Sequence, residues 1–306
     1  MRLLVTGGSG FLGRYVLREA ARRRHETVAL ARSETAAARV AGRGAQPLDG
    51  DLDAPDALPA IFASARCDVL VNLASLGFGH APAIVAAAEH GGLKRGVFVS
   101  TTAITTILPA PTKRIRLAAE EEIRSSALEW TILRPTMIYG APGDRNLSRL
   151  LALLKRASVL PVPGGRYLQQ PVHAADLAEA VLAAAERSVA AGQTYDLAGS
   201  EPLTFEELLR VSARAVGSTT RLVPVPLAPL VAVARGYEQL SQHPRIKVEQ
   251  LERLAEDKAF GIDDAVRDLG YAPRPFEDGI ALEAALMNLA PWRDGRLIQR
   301  APGLVP

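Results

Sequence analysis

The residues whose types and spacing point most directly to chemistry stand near the start of the chain, in Leu3 Leu4 Val5 Thr6 Gly7 Gly8 Ser9 Gly10 Phe11 Leu12 Gly13. Glycines recur at three-residue steps, directly after an apolar run and directly before a helical pattern. Gly7 permits a tight turn, Gly10 lets the backbone approach a pyrophosphate, and Gly13 lets the helix sit close to the strand. A helix starting here aims its N-terminal N–H groups and positive dipole end at the phosphates, with Ser9, Phe11 and Leu12 completing the loop. The next apolar run ends at Arg32, 19 residues past Gly13. An acidic residue there would hold a ribose 2′-hydroxyl, whereas a guanidinium suits a 2′-phosphate. Arg32 therefore favours NADP, with NAD the alternative; a solvated strand-end arginine is the competing explanation, and Arg14 could reinforce either.

Other reactive side chains have plainer readings. Glu120, Glu121 and Glu122 are consecutive, splay apart on a helix and read as a solvated face. Cys67, the single cysteine, has no redox partner and reads as a packed thiol. No Cys/His cluster has zinc-ligand spacing, so no metal is expected. Arg22, Arg23, Arg24 and His25 read as a solvated helix end.

These groups need a scaffold, and the remaining pattern supplies one. Leu3 to Val5, Thr27 to Ala31, Val69 to Leu73, Val97 to Val99 and Trp130 to Leu133 are strand-length and continuously apolar, as suits strands covered on both faces. Helical patterns alternate with them: Leu12 to Arg23, Ala54 to Ser64, Pro82 to His90 and Arg114 to Ser125. The fold class is α/β, a Rossmann-type doubly wound parallel sheet. After Pro135 the pattern becomes more helical, with Leu147 to Ala157, Ala174 to Ala185, Phe205 to Ala215 and Val248 to Asp257, and short runs at Gln193 to Leu197 and Arg221 to Val225. A cofactor domain over 1–140 and a smaller α+β substrate lobe over 141–306, lending elements back to the sheet, is the expected division. Loops at Gly140 to Gly143 and Pro161 to Gly165 are the expected joints, and the tail from Pro291 is expected to be irregular.

The 306 residues are 48% hydrophobic and 23% charged, which excludes disorder. A formal charge of +3 with no aromatic interleaving argues against nucleic-acid binding. Leu222 to Ala234 is broken by Pro224, Pro226 and Pro229, so no membrane insertion is expected, and the absence of an N-terminal signal pattern points to the cytoplasm.

With these residues in place, the chain resembles the short-chain dehydrogenase/reductase superfamily, in its extended or atypical branch of nucleotide-sugar epimerase and dehydratase relatives. Thr6 to Gly13 resembles that family's TGGxGFLG fingerprint. Gly50 Asp51 Leu52 resembles its adenine-binding loop, and Asn72 Leu73 Ala74 Ser75 the segment against the cofactor ribose. Thr131 to Gly140 resembles the strand and loop beside the nicotinamide, which brings in Pro135, and Gln170 to Ala178 a segment after the substrate loop. The resemblance implies a hydroxyl-bearing strand end at Ser100 Thr101 Thr102 Ala103, with Thr102 or Ser100 oriented to the reacting carbonyl. It also implies a Tyr-x-x-x-Lys pair, and here the chain departs: the tyrosine position falls on Thr112 and the lysine position on Arg116. Thr112 lacks a phenol's acidity, and Arg116 keeps a positive field without giving up its proton. Lys113 stands about 100° away round the helix.

The expected activity is hydride transfer between NADP(H) and a small carbonyl or alcohol, held between the sheet's carboxyl edge and the C-terminal lobe. The resemblance implies a nucleotide sugar. Asn146 and Arg166 are loop groups able to meet a phosphate or sugar, and Tyr139 is a third substrate-side candidate; Tyr139, Tyr167 and His173, the last also an acid or base candidate, have a plainer reading as structural or loop-anchoring groups. It also implies a homodimer through the Arg114 to Ser125 helix. Loss of the Tyr/Lys pair keeps two alternatives open: a dinucleotide-binding sensor or assembly subunit without turnover, and a non-redox enzyme on the same fold.

Overall fold

The computed structural model describes every residue except 109, 141, 142, 145, 241–247, 290, 291, 294, 295 and 298–306. In chain order the elements are β1 Arg2–Thr6, α1 Phe11–Arg22, β2 Glu26–Ala31, α2 Glu34–Ala41, β3 Gln46–Asp49, α3 Leu58–Ala65, β4 Val69–Asn72, α4 Ala81–His90, β5 Arg95–Val99, α5 Pro111–Ser125 and β6 Glu129–Pro135. There follow β7 Ile138–Tyr139, α6 Leu147–Leu154, β8 Val159–Pro163, β9 Leu168–Gln169, β10 Val172–His173, α7 Ala174–Glu186, β11 Gln193–Leu197, β12 Leu203–Thr204, α8 Phe205–Ala215 and β13 Arg221–Val225. The chain continues through α9 Leu227–Leu240, α10 Val248–Glu252, α11 Asp263–Leu269, α12 Phe276–Leu286, β14 Trp292–Arg293 and β15 Arg296–Leu297.

Two compact units divide these elements. The first comprises 1–136, 174–198 and 260–273, and the second 137–173, 199–259 and 274–306.

In the first unit seven strands form one sheet in the order β11-β6-β5-β4-β1-β2-β3. All six neighbour pairs are parallel. The chain starts at β1, winds outward to β3, then returns past β1 to β4 and winds the other way, which is the doubly wound order with its switch point between β1 and β4. Leu3, Leu4 and Val5 have no exposed surface, as expected of a strand covered on both faces. Because every pair is parallel, all the carboxyl ends, where the sequence put its candidate groups, share one edge.

The second unit has its own core, in which Leu147, Leu151 and Leu154 of α6 meet Leu208, Val216, Phe276, Ile280 and Ala284. β8 pairs parallel with β13, and β10 with β7. A reciprocal cap starts α8: the Thr204 hydroxyl accepts from Glu207 N, and the Glu207 carboxylate accepts from Thr204 N.

The structure corrects several expectations. β3 and α2 carry no matching sequence expectation, because β3 reads Gln-Pro-Leu-Asp and tolerates its proline only as the edge strand. Pro161 to Pro163, expected in a loop, belongs to β8. The stretch after Pro226 is helical as α9, and α11 and α12 occupy sequence with no expected element. Of the tail, β14 and β15 pair antiparallel, and the rest lies outside the described residues, as do 141 and 142 of the expected joint. Among the described residues, no helix is long and apolar enough to cross a membrane.

Candidate cofactor and active site

The glycine loop leaves β1 and enters α1 at Gly10, whose extended backbone caps the helix with no side-chain hydrogen bond. The first N–H groups of a 12-residue helix therefore stay available to an anion. Gly7 adopts φ +70°, and a Cβ there would stand 2.7 Å from Ala74 N. A Cβ on Gly13 would stand 2.4 Å from Gly8 O, so α1 touches the loop backbone itself. On Gly10 a Cβ would meet only Gly7 O, at 3.1 Å, leaving the rest of that side open. A close-packed loop with one open glycine and an uncapped helix end fits the pyrophosphate of a dinucleotide.

The facing segment is pinned by hydrogen bonds. The Thr6 hydroxyl donates to Asn72 Oδ1 at 2.5 Å, Asn72 Nδ2 donates to Ala74 O, and Leu73 N donates to Thr6 O. Ser75 accepts from Gly77 N, starting the turn that follows. The structure thus brings Leu73 and Ala74 against Gly7, with Ser75 next in the chain. Arg32 extends from the carboxyl end of β2 with its side chain 69% exposed, 3.7 Å from Asp53. Asp51 and Leu52 follow β3 half-buried; Asp51 accepts from Asp53 N. Pro135 ends β6 and is buried.

The reactive candidates follow β5. Ser100 donates to Glu120 Oε1 at 2.6 Å, and Thr102 donates to the Pro135 carbonyl at 3.3 Å. On α5, Arg116 donates to the Thr112 hydroxyl at 2.6 Å, one turn away, and its guanidinium lies against Gly77. Lys113 turns elsewhere, donating to Thr106 O at 2.6 Å. Arg116 thus reaches the turn beyond Ser75, and Thr112 serves as its acceptor.

Glu120 is a correction. The sequence reads it as solvated, yet it is fully buried. Arg134 and Arg124 donate to it at 2.6 and 2.8 Å. Burial alone would raise its pKa, but the hydrogen bonds from Arg134 and Ser100 outweigh that and hold it below the usual carboxylate value. Asn72 and Glu120 together fix the ends of β4, β5 and β6.

Further candidates lie in the second unit. Tyr139 is 1% exposed, its ring edge-on to His173 at 5.2 Å and to Phe276 at 5.5 Å. Burial and then the charge of Arg274 lower the His173 pKa to about 3, so at neutral pH it is the uncharged imidazole. Asn146 is exposed at the start of α6, its backbone N–H donated to Asp144. Arg166 stacks on Tyr167 at 5.2 Å. Glu283, to which the sequence gives no signal, is fully buried on α12. Burial and then the neighbouring Asp144 charge push its pKa up to about 8. Arg43 was also missed: its Nη1 donates to Gly8 O at 2.7 Å and Gly10 O at 3.3 Å. Among the described residues, no group of three or more metal-ligating side chains forms.

Comparison with known proteins agrees with this geometry. Residues 7–188 match the family model described as NAD(P)H-binding. A 4-hydroxy-2-methyl-3-oxo-4-farnesyl-3,4-dihydroquinoline-1-oxide ketoreductase of Stigmatella aurantiaca is 29% identical, over 98% of this chain and 100% of the relative. Subunit 9 of the NADH dehydrogenase [ubiquinone] 1 alpha subcomplex of Arabidopsis thaliana is 30% identical, over 86% of this chain and 70% of that protein. The crystal structure of gox2253 superposes with a TM-score of 0.77 at 24% identity, over 94% and 97% of the two chains, which shows the fold. With a family match over more than half its length, this chain belongs to the family described as NAD(P)H-binding.

Proposed function

We propose that the chain is an NADP(H)-preferring oxidoreductase acting on a small carbonyl or alcohol. The observation that carries this reading is the pairing of an uncapped α1 N-terminus with an exposed guanidinium, Arg32, at the carboxyl end of the neighbouring strand. When bound, the nicotinamide supplies or accepts hydride. Gly7, Ser9, Gly10, Phe11, Leu12 and Gly13 hold the pyrophosphate and Arg32 the 2′-phosphate. Asp51 and Leu52 border the adenine, Leu73, Ala74 and Ser75 the ribose, and Pro135 the nicotinamide. Arg116 gives a permanent positive charge where an oxyanion develops, and Lys113, turned to the Thr106 carbonyl, is the lesser candidate for that role.

A hydroxyl has one proton. Ser100 and Thr102 spend theirs on Glu120 and Pro135, so each presents lone pairs that accept from a substrate alcohol. The longer Thr102 bond is the easier to exchange for donation to a carbonyl. Asn146 and Arg166 are exposed and suited to substrate polar groups, while Tyr139 lies buried in the second unit's core. The ketoreductase relative favours an oxo compound as substrate; a nucleotide sugar rests on resemblance. Exposed Ile115 and Leu117 on α5 support a homodimer through that helix.

A second reading, a dinucleotide-binding subunit without turnover, is favoured by the Thr112 hydroxyl being the acceptor of Arg116 where a phenol would act as the acid. Stopped-flow absorbance of NADPH against a panel of ketones and nucleotide sugars separates the two. Oxidation by an oxo substrate supports the enzyme, and tight binding with no oxidation across the panel supports the subunit. Arg32→Ala should weaken NADPH about tenfold or more and leave NADH nearly unchanged; equal loss removes Arg32 from the 2′-phosphate.

A further inference from the structure

Arg43 lies in the turn between α2 and β3, where Gly42 and a positive-φ Gly44 flank it. It is far from the fingerprint in sequence, yet one nitrogen of its half-buried guanidinium donates to the carbonyls of both Gly8 and Gly10. Peptide planes are rigid, so fixing which way these carbonyls point also fixes the N–H groups on their far sides. Burial first, and then the charges of Arg14 on α1, Arg39 on α2 and Arg18 on α1, disfavour the Arg43 charge. None of the four forms an ion pair with a carboxylate among the described residues. Arg14 also keeps a buried Nη2 without a hydrogen-bond partner. A concentration of cations without counter-charge beside an N–H-lined loop is relieved by an anion.

We propose that Arg43 is a positioning residue for the cofactor: it clamps the Gly8 and Gly10 carbonyls outward so that the loop presents its N–H groups to the diphosphate. This rests on the reading that the glycine loop seats that diphosphate. The clamp serves the part that NADH, NADPH and ADP share, unlike Arg32, which serves the 2′-phosphate alone.

The test measures dissociation constants for NADPH, NADH, ADP and adenosine on the full chain and on the R43A, R43Q, R43K, R32A and G10V variants, with thermal midpoints for each. R43A and R43Q should weaken NADPH, NADH and ADP in parallel by about tenfold, the scale of a charge-assisted hydrogen bond. R43K should recover part of the loss, and adenosine, which lacks the diphosphate, should be indifferent. Loss confined to NADPH would overturn the proposal by making Arg43 a 2′-phosphate reader. A lower midpoint with unchanged ADP binding would also overturn it. If R43A does not fold, R43K against R43Q decides. Should G10V abolish binding while the Arg43 variants bind normally, the clamp alone fails; if G10V also binds normally, the diphosphate seat itself fails.

Discussion

Glu283→Gln isolates a strongly shifted carboxyl of the second unit. The carboxyl has no exposed surface, and burial, then the Asp144 charge, raise its pKa from an ordinary 4.5 to about 8. Asp144 stays committed to the loop before α6, accepting from Asn146 N and Ser148 N. Since the folded value lies above the unfolded one, the folded protein holds an extra proton between pH 4.5 and about 8. The stabilisation that this proton carries is full below pH 4.5 and is lost as the pH rises toward 8. At 1.36 kcal/mol per pH unit, the whole interval amounts to about 5 kcal/mol, and the step from pH 5 to pH 7 to about 3 kcal/mol. Glutamine keeps the shape and cannot ionise. Urea unfolding followed by tryptophan fluorescence at pH 5, 6, 7 and 8.5 should therefore show Glu283→Gln gaining on the parent by about 3 kcal/mol between pH 5 and 7 and levelling above pH 8. Asp144→Asn in the parent should shrink the slope by removing the neighbouring charge. Parallel stability profiles for parent and Glu283→Gln across this range would refute the buried, protonated carboxyl.

Three further outcomes follow from the geometry. His173, held neutral with a pKa of about 3 against an ordinary 6.5, contributes stability that is lost as pH falls through that window, and His173→Phe should flatten the acid limb in the same unfolding series. Glu120→Ala strands Arg134 and Arg124 and should cost about 3 kcal/mol in chemical denaturation, because removing one partner of a buried ion pair leaves the others uncompensated. Gly13→Ala places a Cβ 2.4 Å from Gly8 O, so the loop must shift; calorimetry should show dinucleotide affinity falling more than tenfold while circular dichroism retains the sheet.

The sheet and its cofactor loop were legible in the sequence because both are written locally. Continuous apolar runs such as Leu3 to Val5 and Val69 to Leu73 announce strands covered on both faces, and a glycine loop between strand and helix needs no distant partner to be recognised. β3 was illegible because an edge strand tolerates Pro47 and needs no apolar pattern. The sequence also nominated Thr112 and Arg116 one helical turn apart, which sufficed to predict that a guanidinium replaces an amine. That Arg116 then rests on Gly77 is a matter of how α5 packs.

What only the tertiary structure decided concerns charge. One residue of the Glu120 to Glu122 run is drawn fully inside because Arg134, on a strand 14 residues away in sequence, and Ser100, 20 residues away, converge on it. Arg43 reaches the glycine loop across 35 residues. Glu283 acquires a proton because α12 carries it into an apolar core beside Asp144. Periodicity and short motifs report an element's own preferences, whereas the ionisation state of a buried group depends on the solvent it has lost and the charges other elements bring to it. Sequence therefore determined where a dinucleotide belongs, and packing determined which charges surround it and which carboxyl keeps its proton.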